Sequence, residues 1–518
     1  MTNTTTTLTT LFLAFGATTF AQPGSLDNSF SIDGKVTTAF GTGDDSGQSV
    51  AIQLDGKIVV VGTVSNGTDS DLAIARYSTD GTLDNSFSGD GKVSTDFGTV
   101  AAAGNSVTIQ SNGKIIVAGS ASNGTDSDFV LARYNTDGTP DNGFGVGGKV
   151  STAFGTGNDF GMSVAVQPDA RIVVAGNSYN GTDRDFATAR YNTDGTLDNS
   201  FSGDGKVTTA FGTGNDYGSS VAIQPDGRIV VAGYAYNGTN NDLALARYNT
   251  DGTLDNSFSG DGKVITAFGT GDDAGYSVAI QPDGKIVVAG SASNGTVRYF
   301  AIARYNTDGT LDNSFSGGGI ETTNFGTGTA IGISVAIQPD GKIVVAGDAY
   351  MGSNSDFALA RYHTDGSLDN SFGVGGKVTT AFGTANDFGR SVAIQPDGKI
   401  VVAGSAYSGT NSDFAVARYL SGLNIGVIEF SLADNAPLIY PNPIDERATL
   451  EFTLQNDETI SIHLLDMQGR TVRTFIDGKY QPAGEHRLSI DVPEALPSGA
   501  YLIVISSLNG KFAVQVVK

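Results

Sequence analysis

Two kinds of side chain recur in the glycine-rich stretches of this 518-residue chain at spacings that could do chemistry. Asx pairs stand at Asp44-Asp45, Asn158-Asp159, Asn215-Asp216, Asp272-Asp273 and Asn386-Asp387, with Tyr217 directly after one of them. Tyrosines stand in neighbouring loops at Tyr179, Tyr234, Tyr236, Tyr350 and Tyr407. Aromatic faces beside carboxylates and amides suit a sugar ring, which offers C–H faces and hydroxyls together. Asp216, Tyr217, Tyr179, Tyr234, Tyr236, Tyr350 and Tyr407 are therefore the candidate ligand contacts. The same residue types also build turns and pack between loops.

Other chemistry finds less support. Cysteine is absent and the three histidines, His363, His463 and His486, are scattered, so no thiolate site and no histidine metal cage or triad is indicated. Acids able to hydrolyse a glycoside recur with a period, and no unique pair stands out. "NTDGTLD" at Asn249–Asp255 spaces oxygens somewhat like a Ca²⁺ loop, yet it lacks the closing bidentate Glu. Asp-Gly turns explain it without metal, and Ca²⁺ is retained only as a cofactor to be tried.

The elements that must carry these residues repeat. Ala-Arg-Tyr ends at Tyr77, Tyr134, Tyr191, Tyr248, Tyr305, Tyr362 and Tyr419, a constant step of 57 residues. A fixed period of this kind marks stacked units that cannot bury their apolar faces alone. Each unit offers four strand-like runs, in the fourth copy Lys206–Phe211, Ser220–Gln224, Arg228–Ala232 and Asp242–Tyr248. "PDG" at Pro225–Gly227 makes the middle runs a hairpin, and "RIVVA" is apolar throughout, as a strand covered on both faces must be.

Four antiparallel strands per unit, seven units and no helix predict an all-β chain whose residues 26–420 form a seven-bladed β-propeller. With "SVAIQ" innermost, the last unit lacks an outer "KVTTAF" strand, and Lys35–Phe40 is predicted to supply it and close the ring. The recurring Arg76, Arg133, Arg190, Arg247, Arg304, Arg361 and Arg418 fall at strand ends and read as structural. Buried guanidinium groups need partners, for which the Asp of "PDG" or of "DFALARY" is expected. The run "SVAIQPDGKIVVAG…DFALARYNTDGTLDNSFSGDGKV" resembles the bacterial delta-60 repeat family, and that resemblance implies a propeller without implying a ligand or reaction.

Thirty Lys+Arg against 54 Asp+Glu give a net charge of -24, spread over the repeats, which argues against nucleic acid as a partner. Residues 1–21 end in an apolar run, Leu8–Ala21, that reads as a signal peptide. No internal stretch is long enough for a transmembrane helix. After a linker at 421–437 the composition changes, and residues 438–518 alternate like a small immunoglobulin-like β-sandwich. "YPNP" at Tyr440, Pro441, Asn442 and Pro443, a turn carrying Gly469 and Arg470, "LPSGAY" with Gly499 and Tyr501, and the basic end at Lys518 follow in order. This block resembles the type A C-terminal sorting domain of the type IX secretion system of Bacteroidetes. The resemblance implies the type IX secretion machinery as a partner and a location outside the cell or on the outer-membrane surface.

The loops divide between two faces. "PDG" and "NTDGTLDNSFSGDG" share one, and are nearly identical among the copies. "FGTGNDYGSS" and "AGYAYNGTNND" share the other, and differ from copy to copy. A binding surface requires such differences, so an extracellular polymer or glycan is expected on the variable face. An extracellular glycan hydrolase or lyase and a purely structural surface protein are the alternatives. Unit-specific oddities such as "VRYF" at Val297–Phe300 read as drift.

Overall fold

The computed structural model describes residues 22–98, 101–423, 438–440, 444, 447–454, 457–466, 471–492, 496, 499–507 and 510–518. The leader at 1–21, most of the linker, and Pro441, Asn442, Pro443, Gly469 and Arg470 lie outside them.

Seven four-stranded antiparallel sheets make up the first part. Blade 4 is typical, with strands Asp216–Ile223, Ile229–Tyr236, Asn241–Tyr248 and Lys263–Thr266 from inside to outside. The seven inner strands neighbour one another in a closed circle. At the hairpin, Gly227 donates to the Gln224 carbonyl at 2.9 Å and takes φ +84°, a conformation that favours glycine. The second strand is sealed by its neighbours on both faces: Ile229, Val230, Val231 and Ala232 are all fully buried.

Blades touch through recurring side-chain devices. The Ser163 hydroxyl accepts from the Val221 amide of the next blade at 3.1 Å, and Ser391 does the same for Val50 at 3.1 Å. These bonds cap amides on a strand edge that would otherwise be unpaired. Tyr248 is fully buried and donates to Thr209 of the preceding blade at 2.8 Å. A Cβ at Gly218 would come within 2.3 Å of the Gly176 carbonyl oxygen, so the close approach of blades requires glycine there.

The ring closes as the missing strand predicts. Lys35–Thr38 pairs antiparallel with Ser412–Tyr419, placing Lys35 opposite Ala417. Asp27 reinforces the seam by accepting from Arg418 at 2.8 Å. The C-terminal residues form a three-stranded and a four-stranded sheet sharing one apolar core, including Leu450, Phe452, Ile462 and Ile503.

Candidate functional site

On the copy-invariant face the recurring arginines build a belt. In blade 4, Arg247 Nε donates to Asp255 at 2.8 Å and Nη2 donates to Ser257 at 3.2 Å. Its Nη1 reaches the Thr307 carbonyl of the next blade, and the guanidinium lies 4.4 Å from the Phe258 ring centre. Arg76, Arg133, Arg190, Arg304, Arg361 and Arg418 pair likewise with Asp84, Asp141, Asp198, Asp312, Asp369 and Asp27.

The partner is thus the Asp of "LDNSF", and the expectation of "PDG" or "DFALARY" is corrected. The chain folds back after the third strand, and the Asp255 amide donates to the Arg247 carbonyl at 2.9 Å. That return places the Asp255 carboxylate beside the guanidinium. Asp226 of "PDG" is held by Arg228 at 2.6 Å, and Asp242 accepts from Asn237 at 2.6 Å. Burial pushes the belt carboxyls up, but hydrogen bonds from the following serine and the adjacent cations outweigh it. Asp84 is lowered to about 2. In the "NTDGTLD" loop Asp251 accepts from the Thr253 amide at 3.0 Å, which leaves Asn249–Asp255 organised as a turn. Among the described residues no three His, Asp or Glu side chains gather as metal ligands would.

The copy-variable face is arranged differently. Asp216 does not reach solvent: it is fully buried, and its Oδ2 accepts from the Phe211 amide at 2.6 Å. Asp45, Asp159, Asp273 and Asp387 hold Phe40, Phe154, Phe268 and Phe382 in the same way. Burial raises all five carboxyls against these hydrogen bonds. They anchor the "FGTG" loops from beneath.

Tyr179, Tyr236, Tyr350 and Tyr407 stand apart, each at the outer end of a second strand and 38–44% exposed. Tyr179 and Tyr350 donate to the Gly181 and Gly352 carbonyls of their own loops at 3.0 and 2.9 Å. Tyr236 packs on the "FGTG" loop, where a Cβ on Gly214 would meet its ring at 2.6 Å.

Tyr217 and Tyr234 do come together, stacked at 4.9 Å with 25° between ring planes. Tyr276, from the inner strand of blade 5, adds an edge contact to Tyr234 at 6.3 Å. Burial, with Tyr276 and Tyr217 beside it, pushes the Tyr234 hydroxyl up to about 12, while Arg298 and Arg184 pull it back. The reading from sequence missed Tyr276, Arg298 and Arg184. It also missed Asp348 and Arg390.

Tyr276 and Tyr234, and Arg390 and Asp348, share a geometric rule. The inner strand of blade 4 has a bulge at Ser219. The equivalent residue is Tyr276 in blade 5 and Arg390 in blade 7, and it faces the second strand of the preceding blade. Tyr234 thus meets Tyr276, and Asp348 of blade 6 is placed beside Arg390. Aligning the copies reveals the signal: Asp348 stands where Thr63, Ser120, Asn177, Tyr234, Ser291 and Ser405 stand. Asp348 is 8% exposed, and burial raises it to about 6 although Arg390 opposes the shift.

Seven stretches, 53–87, 110–144, 167–201, 224–258, 281–315, 338–372 and 395–424, match the family described as "Domain of unknown function (DUF5122) beta-propeller". Residues 438–518 match the "Secretion system C-terminal sorting domain". The chain is a DUF5122 β-propeller with a type IX C-terminal sorting domain. The propeller is therefore a secreted or cell-surface protein handled by the type IX secretion machinery.

A comparison with curated proteins gives no match. Among solved structures, a catalytically inactive virginiamycin B lyase from Staphylococcus aureus is 11% identical with a TM-score of 0.42, covering 74% of this chain and 98% of that one. Sqt1 from Chaetomium thermophilum, bound to the N-terminus of ribosomal protein L10, is 13% identical with a TM-score of 0.38, covering 74% and 99%. Polysaccharide lyase Uly1 is 11% identical with a TM-score of 0.34, covering 75% and 90%. At this distance no chemistry transfers from them to the DUF5122 propeller.

In the sorting domain Tyr440 donates to Glu451, and Tyr501 is buried in the core. Gly499 and Lys518 exchange two backbone hydrogen bonds of 2.9 Å, tying the last residue to the sheet. His463 contacts Thr474, and His486 stacks on Phe452 at 5.1 Å. Among the described residues no helix is long and apolar enough to cross a membrane.

Proposed function

We propose that the exported propeller is a binding module that recognises an extracellular polymer, a glycan above all, through its copy-variable face. One observation carries this reading: the copies agree where blades are clamped together, and among the described residues the aromatic trio Tyr217, Tyr234 and Tyr276 occurs in one place. Stacked, half-buried tyrosines with polar neighbours offer sugar rings both an apolar face and hydrogen-bonding edges.

Asp348 favours a second reading as a glycan hydrolase or lyase, because it is a copy-specific buried acid with a raised pKa. Hydrolysis of a glycoside by two carboxylates needs a second acid nearby. The charged group beside Asp348 is Arg390, so binding is the better fit. The test is a glycan-array screen of the full chain with and without Ca²⁺. Retention of a glycan that is lost on Tyr234→Ala supports the binding module. Release of shortened sugars moves the enzyme ahead, and an empty screen under both conditions moves the structural role ahead.

A further inference from the structure

Among the described residues every propeller arginine except Arg184, Arg298 and Arg390 has an aspartate oxygen within ion-pairing distance. Arg184 and Arg298 both open a third strand, two copies apart, where the other copies have Ser or Asn, Arg390 fills the bulge position of blade 7, and all three belong to the variable face. In a chain of net charge -24, cations with no carboxylate oxygen within ion-pairing distance, Arg390 having only the longer-range Asp348, call for an explanation when they gather on a single surface.

Blade 5 supplies the clearest case. Its third strand opens Val297-Arg298-Tyr299, where blade 1 has Asp69-Ser70-Asp71. The exchange removes two carboxylates and adds one guanidinium, a local change of +3. Tyr299 keeps the loop closed by accepting from Asn294 at 2.8 Å, so the turn survives the loss of its acid. Arg298 then stands free of carboxylates, near enough to Tyr234 to act on its hydroxyl. On the other flank Arg184 lies over Phe160 at 4.9 Å and donates to Asn177 at 2.9 Å. Arg390 lies over Phe388 at 5.1 Å. Guanidinium groups held on aromatic rings are presented as planar, pre-oriented donors for a carboxylate or sulfate.

We infer that the variable face binds an acidic saccharide, with Tyr217, Tyr234 and Tyr276 stacking on its rings and Arg298, Arg184 and Arg390 taking its carboxylate or sulfate groups. The inference rests on the binding reading above and specifies its ligand class. It also gives "VRYF" a role, since that segment turns an acidic loop into a basic one.

The experiment measures retention of the full chain on polygalacturonate, alginate and chondroitin sulfate. Each is compared with its neutral counterpart, carboxyl-reduced for the first two and desulfated and carboxyl-reduced for the third. Arg298→Gln, Arg390→Gln and, as a control on the opposite face, Arg171→Gln are run alongside. The expected result is retention on at least one acidic polymer, weakened by about tenfold or more in its neutral form and by either Arg298→Gln or Arg390→Gln. Rising salt should weaken it further, while Arg171→Gln should not change it. Equal retention on acidic and neutral forms, or retention on neutral polymers alone, overturns the acidic ligand and leaves the binding reading standing. No retention on any polymer, charged or neutral, overturns both.

Discussion

The two faces of the propeller use the same residue types for opposite ends. On the invariant face each of the seven recurring belt arginines is buried against an aspartate, a phenylalanine ring and a carbonyl of the next blade. On the variable face Arg298 and Arg390 have no carboxylate in ion-pairing range among the described residues, Arg390 having only the longer-range Asp348, and Asp45, Asp159, Asp216, Asp273 and Asp387 are sunk beneath the loops. Carboxyls of the first belt are lowered by bonds and cations, whereas those under the variable loops are raised by burial. Charge that is paired seven times holds a ring together, and the few guanidinium groups of the variable face are the ones the proposed acidic ligand would engage.

The contrast is open to attack, first at the belt. Arg247→Ala leaves Asp255 facing Arg228 alone and breaks a bond to the next blade, and should cost about 3–5 kcal/mol in thermal or denaturant unfolding. A cost near zero would make the arginines dispensable and erase the difference between the faces.

Asp348→Asn tests the variable face in the opposite direction. The folded-state value, raised to about 6, means that the contribution of Asp348 to stability is fully present below its unfolded value near 4 and lost as pH rises through 6. The substitution should therefore stabilise by roughly 1–3 kcal/mol at neutral pH and by nothing at acid pH, read as melting temperature against pH. The belt behaves inversely: with Asp84 lowered to about 2, its contribution is present above the ordinary carboxylate value and fades as pH falls from there towards 2.

Smaller effects sharpen the picture. Tyr248→Phe removes the buried hydrogen bond to Thr209 and should cost about 1 kcal/mol. Tyr236→Ala, at a half-exposed strand end, should cost less than about 1 kcal/mol in the same unfolding measurement.

The ring was legible in the sequence because its signals are local and repeated. The 57-residue step, the "PDG" hairpin and the missing outer strand define blades and closure, and Lys35–Thr38 takes the predicted place. The arginine partner was not legible, because in blade 4 Asp226, Asp242, Asp251 and Asp255 all lie near enough in sequence and only the backbone return at Asp255 chooses among them. The tyrosine cluster was half legible. Tyr217 and Tyr234 belong to one hairpin, but Tyr276 reaches it across a blade boundary, where residue 234 meets the bulge of the following inner strand, as Arg390 of blade 7 meets Asp348 of blade 6. "VRYF" looked like drift because its meaning depends on what surrounds Arg298 in space.

If one face holds the ring and the other recognises a ligand, stability and retention should separate by mutation. The most direct measurement compares Tyr234→Ala with Arg247→Ala for polymer retention and melting temperature together. The account predicts that Tyr234→Ala loses retention by about tenfold or more while its melting temperature falls far less than that of Arg247→Ala. Unchanged retention, with a fall in melting temperature as large as that of Arg247→Ala, would make the tyrosine cluster part of the frame and contradict the account.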